Sequence, residues 1–308
     1  MNEIKVFAPA TVANVGPGFD VFGFALGQPG DIITARKIDS GVRLTKISNP
    51  RLPKEADKNC ASIAAAEVVK MANRRGIKGG VELEVEKGIS LCSGMGGSAA
   101  SAVGGAVAAN EILGRPFSKK ELLPACIVAE EAVSGYHADN VSACLFGGFI
   151  LIKTYEPLEI IQLKLPKDLI CIAVNPEYEV QTKEARKVVP QQVDLKSLIR
   201  QVGNASSIIA GIALNDVKLI GRGVDDCIVE PARQHLIPGF EKVKENALDA
   251  GAYGCSISGS GPSVFAIADK SLDAENIAKS MQAAFLEVGL KSKAYISECE
   301  NEGAKVIK

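Results

Sequence analysis

The chain has 308 residues, a length that fits two domains of roughly 100–200 residues each. Its composition is 47% hydrophobic and 23% charged, which is typical of a globular protein whose core needs no disulfides or structural metal. A formal net charge of -1 gives no support for a nucleic-acid or membrane-surface partner, so we expect neither.

The cysteines and the apolar segments indicate the compartment. No two of the eight cysteines form a C-x-x-C pair, and several lie in apolar surroundings, so we expect buried, reduced thiols. Residues 1–6 lack the basic and apolar regions of a secretory signal. No apolar run approaches the ~20 residues of a membrane span. These patterns predict a cytoplasmic protein.

The first half of the chain alternates between strand and helix patterns. Two alternating segments flank Asp39-Ser40-Gly41, which is typical of a β-hairpin. Ser118, with Glu121 three residues later, predicts a capping box. The predicted elements are a strand at residues 6–8, a loop at 9–20, hairpin strands at 31–37 and 42–47, a helix at 62–75, a strand at 81–85, a helix that opens within 87–109 and ends near 114, a helix at about 118–133, and strands at 148–155 and 160–165.

A domain boundary is expected between Pro157 and Pro166, dividing the chain into residues 1–160 and 161–308. Strands that alternate with helices singly and in pairs favour an α+β fold. The predicted elements of the second half are strands at residues 169–174, 263–268 and 294–299, and helices at 183–189, 195–214, 240–250 and 274–288.

A glycine-rich segment from Gly88 to Ser101 follows a predicted strand and opens a helix. Glycines let backbone N–H groups converge without Cβ clash, and a helix N-terminus adds unpaired donors and partial positive charge. Together they predict an anion site suited to the triphosphate of ATP. The predicted ATP-binding residues are Ser90, Leu91, Cys92, Ser93, Gly94, Met95, Gly96, Gly97, Ser98, Ala99 and Ala100.

The same segment matches neither of two common nucleotide motifs, because it lacks the Gly-Lys-Ser/Thr of a Walker A loop and the third glycine of a dinucleotide fingerprint. A Gly/Ala helix start that serves close helix packing alone is the alternative interpretation. Two further segments, residues 8–20 and 254–263, strengthen the phosphate interpretation, although each alone is typical of a turn.

These three segments resemble, in order and spacing, the signature motifs of the GHMP kinases, and the resemblance covers essentially the whole chain. It implies an N-terminal domain with a left-handed βαβ unit, a ferredoxin-like C-terminal domain, ATP and Mg²⁺ as cofactors, and a homodimer. The loop keeps Gly94, Gly96 and the Ser98-Ala99 pair of the family's usual P-x-G-S-G-L-G-S-S-A, so we expect its backbone cradle to survive. It departs from that pattern at Ser90, Cys92, Met95 and Gly97.

Four further segments resemble those of homoserine kinases within this superfamily. They are residues 14–20, residues 134–141 followed by 146–149, residues 182–186 and residues 226–233. Asn140 stands where mevalonate-type relatives usually carry an aspartate. The resemblance implies ATP-dependent phosphorylation of the side-chain hydroxyl of L-homoserine to O-phospho-L-homoserine, in threonine biosynthesis.

This substrate is a zwitterion with a primary hydroxyl. Arg186 and Arg233 are predicted to bind its carboxylate, since a guanidinium matches a carboxylate with two parallel hydrogen bonds. Its ammonium and neighbouring polar atoms are predicted to meet Asp20, Asn14, His137 and Asp139. The residues predicted nearest the transfer are Asn140, Thr182 and Arg233.

The predicted Mg²⁺ ligands are the Ser98 hydroxyl and one carboxylate, because this hard cation prefers oxygen. Glu130 aligns best with the family's metal-binding glutamate, and Glu131 is the alternative. Phosphoryl transfer relies mainly on positioning and charge stabilisation, so a strong protein base is not required. Asn140 agrees with that expectation.

Three other functions remain open at this point. They are a GHMP kinase for another alcohol such as a mevalonate-like substrate, a nicotinamide-dependent oxidoreductase, and a non-catalytic nucleotide-binding or regulatory protein. Asn140 and Asp20 argue against the first, and the missing fingerprint argues against the second. Ser98, Glu130 and Asn140 argue against the third.

Overall fold

The structure is a computed structural model that describes residues 3–307. The prediction that residues 1–6 are not a secretory signal therefore lies partly outside the described residues, at Met1 and Asn2. The strands are β1 (Glu3–Ala13), β2 (Phe22–Ile38), β3 (Gly41–Ile47), β4 (Gly80–Glu86), β5 (Phe149–Tyr155), β6 (Leu158–Leu163), β7 (Leu169–Pro176), β8 (Gly254–Ile257), β9 (Val264–Asp269), β10 (Ser292–Glu298) and β11 (Lys305–Ile307). The α-helices are α1 (Cys60–Arg74), α2 (Gly97–Ile112), α3 (Lys119–Val133), α4 (Ala138–Phe146), α5 (Thr182–Lys187), α6 (Leu195–Leu214), α7 (Val217–Gly223), α8 (Val229–Arg233), α9 (Phe240–Asp249) and α10 (Ala274–Glu287).

Seven strands form the first sheet, in which β1 pairs with β2 and β4 lies between β2 and β3. The predicted hairpin of β2 and β3 is therefore wrong, since β3 instead runs parallel to β4. Burial explains the order: Val81, Leu83 and Val85 of β4 are all buried, which suits a central strand. The α1 helix connects the two parallel strands, giving a βαβ unit. The loop predicted from residue 9 is also wrong in part, because β1 continues to Ala13.

Four antiparallel strands form the second sheet, in the order β10-β7-β9-β8. This order, with helices in the two crossover connections, is that of a ferredoxin-like unit and confirms the α+β fold class. Every residue of β7 is buried, because this central strand has neighbours on both sides and helix α10 against it.

The helices with strong local signals lie where the sequence places them. The α6 helix has the predicted bounds, and Asp194 caps its first turn. The capping box of Ser118 and Glu121 is present at the start of α3. The missed elements are α4, α7, α8, β8 and β11, which are short or rich in glycine and so carry weak periodicity.

One continuous hydrophobic core joins the two sheets, where Phe24 of the first sheet contacts Phe265 of the second with ring centroids 6.2 Å apart. The chain passes from the first sheet to the second between β6 and β7, and β11 then returns to the first sheet. The division at residues 160 and 161 therefore stays a prediction. None of the helices within residues 3–307 is long and apolar enough to cross a membrane.

The cysteines are all free thiols, and five of them are buried as expected. The expectation is wrong for Cys92, which is exposed, because it lies in the glycine-rich loop at the surface of a cleft. Cys227 and Cys299 are partly buried.

Candidate active site

A cleft of about 320 Å³ gathers residues from both halves of the chain. Among the predicted site residues, those that line it are Asn14, Asp20, Ser90, Leu91, Cys92, Ser93, Gly94, Gly96, Gly97, Ser98, Glu130, His137, Asp139, Asn140, Thr182, Arg186 and Arg233. The structure does not place Met95, Ala99 and Ala100 on this surface. Their side chains are buried in the core behind the loop, so they could contribute no more than backbone atoms.

The glycine-rich loop between β4 and α2 has a backbone that excludes larger residues. Gly94 and Gly96 have φ values of 75° and 68°, in the left-handed region. A Cβ atom at Gly94 would lie 2.4 Å from the carbonyl oxygen of Ser258. Gly96 is the N-cap of α2, so the loop leads directly into the helix N-terminus. The geometry suits the predicted anion cradle.

Residues 254–263, the last of the three motif segments, form hydrogen bonds with this loop. The Ser258 hydroxyl donates to the Gly94 carbonyl at 2.8 Å. The backbone N–H of Ser263 donates to the Ser93 carbonyl at 3.1 Å. Residues 254–263 and the glycine-rich loop thus lie in contact although about 160 positions separate Gly94 from Ser258. The alternative interpretation of each segment as an isolated turn does not describe this arrangement.

A buried ion pair that the sequence analysis missed lies at the base of the loop. Lys87 pairs with Asp31, and its ammonium also donates to the Gly97 carbonyl at 2.7 Å. Asp31 accepts from the backbone N–H of Gly88 at 3.1 Å. Both charges are almost fully buried, and such pairs are stable when their other hydrogen bonds are satisfied. A lone lysine after a strand has no motif that would have identified it.

Glu130 has the environment of a metal ligand. One carboxylate oxygen accepts from the Ser98 hydroxyl at 2.8 Å, and the other has no hydrogen-bond partner among residues 3–307. Burial raises the pKa of Glu130 to about 7, against the lowering effect of Ser98. Glu131 is exposed. A divalent cation at the unpaired oxygen would supply the missing partner, so Ser98 and Glu130 fit Mg²⁺ better than Glu131 does.

No cluster of three or more His, Cys, Asp or Glu side chains able to hold a metal occurs in the described part of the chain. Two protein ligands are few for a metal site built from side chains alone. They match the usual arrangement in kinases, where Mg²⁺ takes one or two side chains together with substrate phosphates.

At the other end of the cleft, Arg186 forms a two-pronged ion pair with Asp20, with N–O distances of 2.8 and 3.0 Å. His137 Nδ1 lies 3.3 Å from the same guanidinium. Burial lowers the pKa of His137, and the positive charge of Arg186 adds to this effect. His137 therefore favours the neutral form, in which it can accept a hydrogen bond.

Arg233 is buried, with 4% of its surface exposed. It donates to the carbonyls of Ala185 at 2.9 Å and Gly259 at 3.1 Å. Burial, followed by the charge of Arg186, lowers its pKa to about 10, so it still carries a full charge at neutral pH. The ring of Phe19 lies 5.0 Å from Arg233 and 5.2 Å from Arg186, within the range of cation–π attraction for both.

Asp139 and Asn140 lie at the N-terminus of α4, between the phosphate loop and the two arginines. Asp139 is buried, and burial followed by the nearby Asp20 charge raises its pKa to about 7. Its carboxylate accepts from the backbone N–H of Asn140 at 2.8 Å and from the Asn140 amide at 3.3 Å. The amide oxygen of Asn140 accepts from the Thr11 hydroxyl at 2.7 Å.

Asn14 and Thr182 line the cleft from the two sides. Asn14 donates to the Gly259 carbonyl at 2.8 Å and accepts from the backbone N–H of Asp20 at 3.0 Å, so it fixes the loop that carries Asp20. The Thr182 hydroxyl lies 3.4 Å from that of Ser260.

Comparisons with known proteins match the family that these motifs resemble. The model of the GHMP kinases N terminal domain matches residues 60–148, and that of the GHMP kinases C terminal matches residues 208–287. A homoserine kinase from Chlorobium phaeobacteroides (strain DSM 266 / SMG 266 / 2430) is 43% identical, with both chains covered completely. A homoserine kinase from Arabidopsis thaliana is 42% identical over 99% of this chain and 85% of the relative.

A crystal structure of homoserine kinase from Cytophaga hutchinsonii superposes with a TM-score of 0.94 and 47% identity, over 100% of this chain and 98% of that one. The chain belongs to the homoserine kinase family of GHMP kinases. It is thus a member of a phosphotransferase family. The resemblance of residues 8–20, 88–101 and 254–263 to the signature motifs of GHMP kinases is therefore confirmed.

The sequence patterns assigned no role to two residues that contact the predicted site residues. Thr11 pairs with Asn140 from a position 129 residues away, and Phe19 lies beside two guanidiniums. Both belong to the first motif segment, residues 8–20. Their position within that motif was the one indication in the sequence that they lie near the site.

Proposed function

We propose that this chain transfers the γ-phosphoryl group of ATP to the side-chain hydroxyl of L-homoserine, forming O-phospho-L-homoserine for threonine biosynthesis. The observation that carries the proposal is the continuity of the cleft. A cradle of backbone N–H groups at a helix N-terminus lies at one end, charges of both signs lie at the other, and Asn140 lies between them.

The phosphate end is formed mainly by backbone groups. We propose that the loop from Ser90 to Ala100 binds the ATP phosphates through its backbone, because Gly94 and Gly96 leave no side chain in the way. We propose Mg²⁺ at Ser98 and Glu130, where the unpaired carboxylate oxygen supports it. When bound, the ion neutralises charge on the phosphates during transfer.

The acceptor end offers partners for a zwitterion. We propose that Arg233 and Arg186 bind the substrate carboxylate and that Asp20 and Asp139 bind the ammonium. Arg233 is buried and held by two carbonyls, so it can present its remaining N–H groups in a fixed direction. Asp20 and Arg186 now satisfy each other, and a zwitterion would offer each of them a new partner of opposite charge.

The remaining roles follow from neighbouring positions. Asn14 holds the loop that carries Asp20, and neutral His137 accepts a hydrogen bond beside Arg186. We propose that Asn140 and Thr182 contact the acceptor near the transferred group. No strong base is needed, since the transition state for phosphoryl transfer is loose and depends on position and charge.

A mevalonate-type acceptor suits this pocket less well. Mevalonate has no ammonium, so it offers no cation to Asp139 or Asp20, and the charge attraction that favours a zwitterion is lost. The experiment is to measure ADP release at fixed Mg-ATP with L-homoserine, mevalonate and L-serine. We expect the highest kcat/KM with L-homoserine. A higher value with mevalonate would contradict the substrate assignment, and no ADP release with any hydroxylated acid would contradict the kinase activity itself.

We also propose a cytoplasmic location and a homodimer. Eight free thiols suit a reducing compartment, and the homodimer rests on the family resemblance. Light scattering after size-exclusion chromatography would test the homodimer, since a mass equal to one 32.3 kDa chain at micromolar concentration would contradict it.

A further inference from the structure

The side chain of Thr11 lies beneath the surface of the cleft, against Asn140 and Gly96 of the glycine-rich loop. It is fully buried, on strand β1. Its hydroxyl donates to the amide oxygen of Asn140 at 2.7 Å. Its backbone N–H donates to the carbonyl of Met95 in the phosphate loop at 3.1 Å. One residue therefore holds both the loop and the amide.

The lack of a side chain at Gly96 leaves room for the hydrogen bond between Thr11 and Asn140. A Cβ atom at Gly96 would lie 2.1 Å from the Thr11 hydroxyl and 2.9 Å from the Asn140 amide oxygen. The glycine therefore allows the threonine hydroxyl and the asparagine amide to approach the phosphate loop together. These three residues come from strand β1, the start of α2 and helix α4, which lie far apart in the sequence.

The backbone of β1 is irregular where it carries this side chain. The pairing of β1 with β2 shifts register between Pro9 and Thr11. Such irregularities change the direction of side chains and occur often next to active sites. Here the shift accompanies a threonine whose hydroxyl faces a polar partner although the surrounding residues of the strand, Ala10 and Val12, are buried and apolar.

An asparagine amide has two different ends, and its hydrogen bonds decide which end faces the cleft. The Thr11 hydroxyl donates to the Asn140 oxygen, and the amide nitrogen lies 3.3 Å from the Asp139 carboxylate. The contact with Asp139 selects this orientation, in which the Thr11 hydroxyl donates to the amide oxygen and fixes the side chain in place. The reversed orientation would bring the amide oxygen towards a carboxylate, where two acceptors would repel each other.

We propose that Thr11 is a positioning residue for phosphoryl transfer, which orients the Asn140 amide against the phosphate loop so that its nitrogen is presented to the acceptor hydroxyl. This inference rests on the proposed function, because it assigns Asn140 to the acceptor. Thr11 acts through Asn140 and touches neither substrate. Its loss should therefore lower kcat and leave both KM values nearly unchanged, since an error of position at the reacting atoms slows the transfer itself.

The test compares Thr11→Val with Thr11→Ser. Valine keeps the shape and the β-branch and removes the hydroxyl, whereas serine keeps the hydroxyl. For Thr11→Val we expect kcat to fall about tenfold, the equivalent of one lost hydrogen bond, with KM for ATP and L-homoserine within about twofold. Thr11→Ser should keep kcat within about threefold. Thermal melting and calorimetric ATP binding would verify an intact fold and loop, and Thr11→Ala replaces Thr11→Val if valine disturbs either.

A double-mutant cycle separates the positioning role from a general structural role. If Thr11 acts through Asn140, Thr11→Val combined with Asn140→Ala should have the same kcat as Asn140→Ala alone. Full kcat in Thr11→Val while Asn140→Ala is impaired would overturn the role of Thr11 and leave the proposed function standing. Additive losses would also overturn it, since Thr11 would then act through the loop. Full kcat in Asn140→Ala would overturn both this inference and the assigned role of Asn140.

Discussion

The two ends of the cleft recognise charge in opposite ways. At the phosphate end, Gly94 and Gly96 shape a backbone whose groups are held by neighbouring segments, and the buried Lys87–Asp31 pair is complete before any ligand binds. At the acceptor end, Arg186 and Asp20 are charged side chains that pair with each other across the cleft. A backbone site is fixed by the fold, whereas a side-chain site must exchange partners when the ligand arrives. We therefore expect substitutions at the phosphate end to reduce ligand binding more than substitutions at the acceptor end.

The most damaging single change is expected at Gly96. In Gly96→Val, backbone strain of about 1–3 kcal/mol adds to overpacking of about 1–3 kcal/mol against Thr11, so ATP affinity should fall on the order of 100-fold or more. Isothermal calorimetry would measure it. The matched control is Gly114→Val, at a glycine with φ of 88° and open space around it. Equal ATP affinity of Gly96→Val and the parent, with an intact circular dichroism spectrum, would contradict a backbone-built phosphate site.

At the acceptor end, Arg233→Leu should remove one charge-assisted contact to the substrate carboxylate, worth about 1.5–3 kcal/mol. That corresponds to a loss of roughly 10- to 150-fold in kcat/KM for L-homoserine. Arg186 is 45% exposed and already paired, so Arg186→Leu should cost less. Steady-state kinetics with both variants would measure the difference. An unchanged kcat/KM in Arg233→Leu would remove this arginine from the substrate site.

Between the two ends, Glu130→Gln should raise the Mg²⁺ concentration needed for half-maximal rate by about tenfold, the equivalent of ~1.4 kcal/mol. Glutamine keeps the size and the contact with Ser98 and removes the charge. Glu131→Gln is the control, because this neighbouring carboxylate is exposed. If Glu131→Gln alone shifts the Mg²⁺ requirement, the metal assignment belongs one residue later.

The smallest expected effect is on pH dependence at the acceptor end. Burial raises the pKa of Asp139 to about 7, so in the free protein this carboxyl is largely protonated below that pH. Only the ionised form attracts the substrate ammonium, so KM for L-homoserine should fall by about fivefold from pH 6 to pH 7 and by about twofold from pH 7 to pH 8. Measurements at saturating Mg-ATP would test this. In Asp139→Asn the KM should be higher and flat over the same range; a parent profile that is equally flat would contradict the role of Asp139.

The sequence alone predicted the structural features that are caused by neighbouring residues in the chain. Helix α6 has its predicted bounds because its cap and its apolar spacing lie within 21 residues of chain. The glycine-rich loop was predicted as an anion cradle from glycines that follow a strand and precede a helix, and the structure places it directly before the N-terminus of α2. The charged residues of the acceptor end were identified by resemblance to a family, and the structure brings them to one cleft.

The tertiary structure decided everything that depends on which distant segments meet. The hairpin prediction failed because β4, from about 40 residues further on, buries more apolar surface beside β2 than β3 does. The Arg186–Asp20 pair and the Thr11–Asn140 hydrogen bond join residues 166 and 129 positions apart. No local pattern encodes such pairings, because strand order, burial and side-chain direction are settled by competition among all segments for the same core.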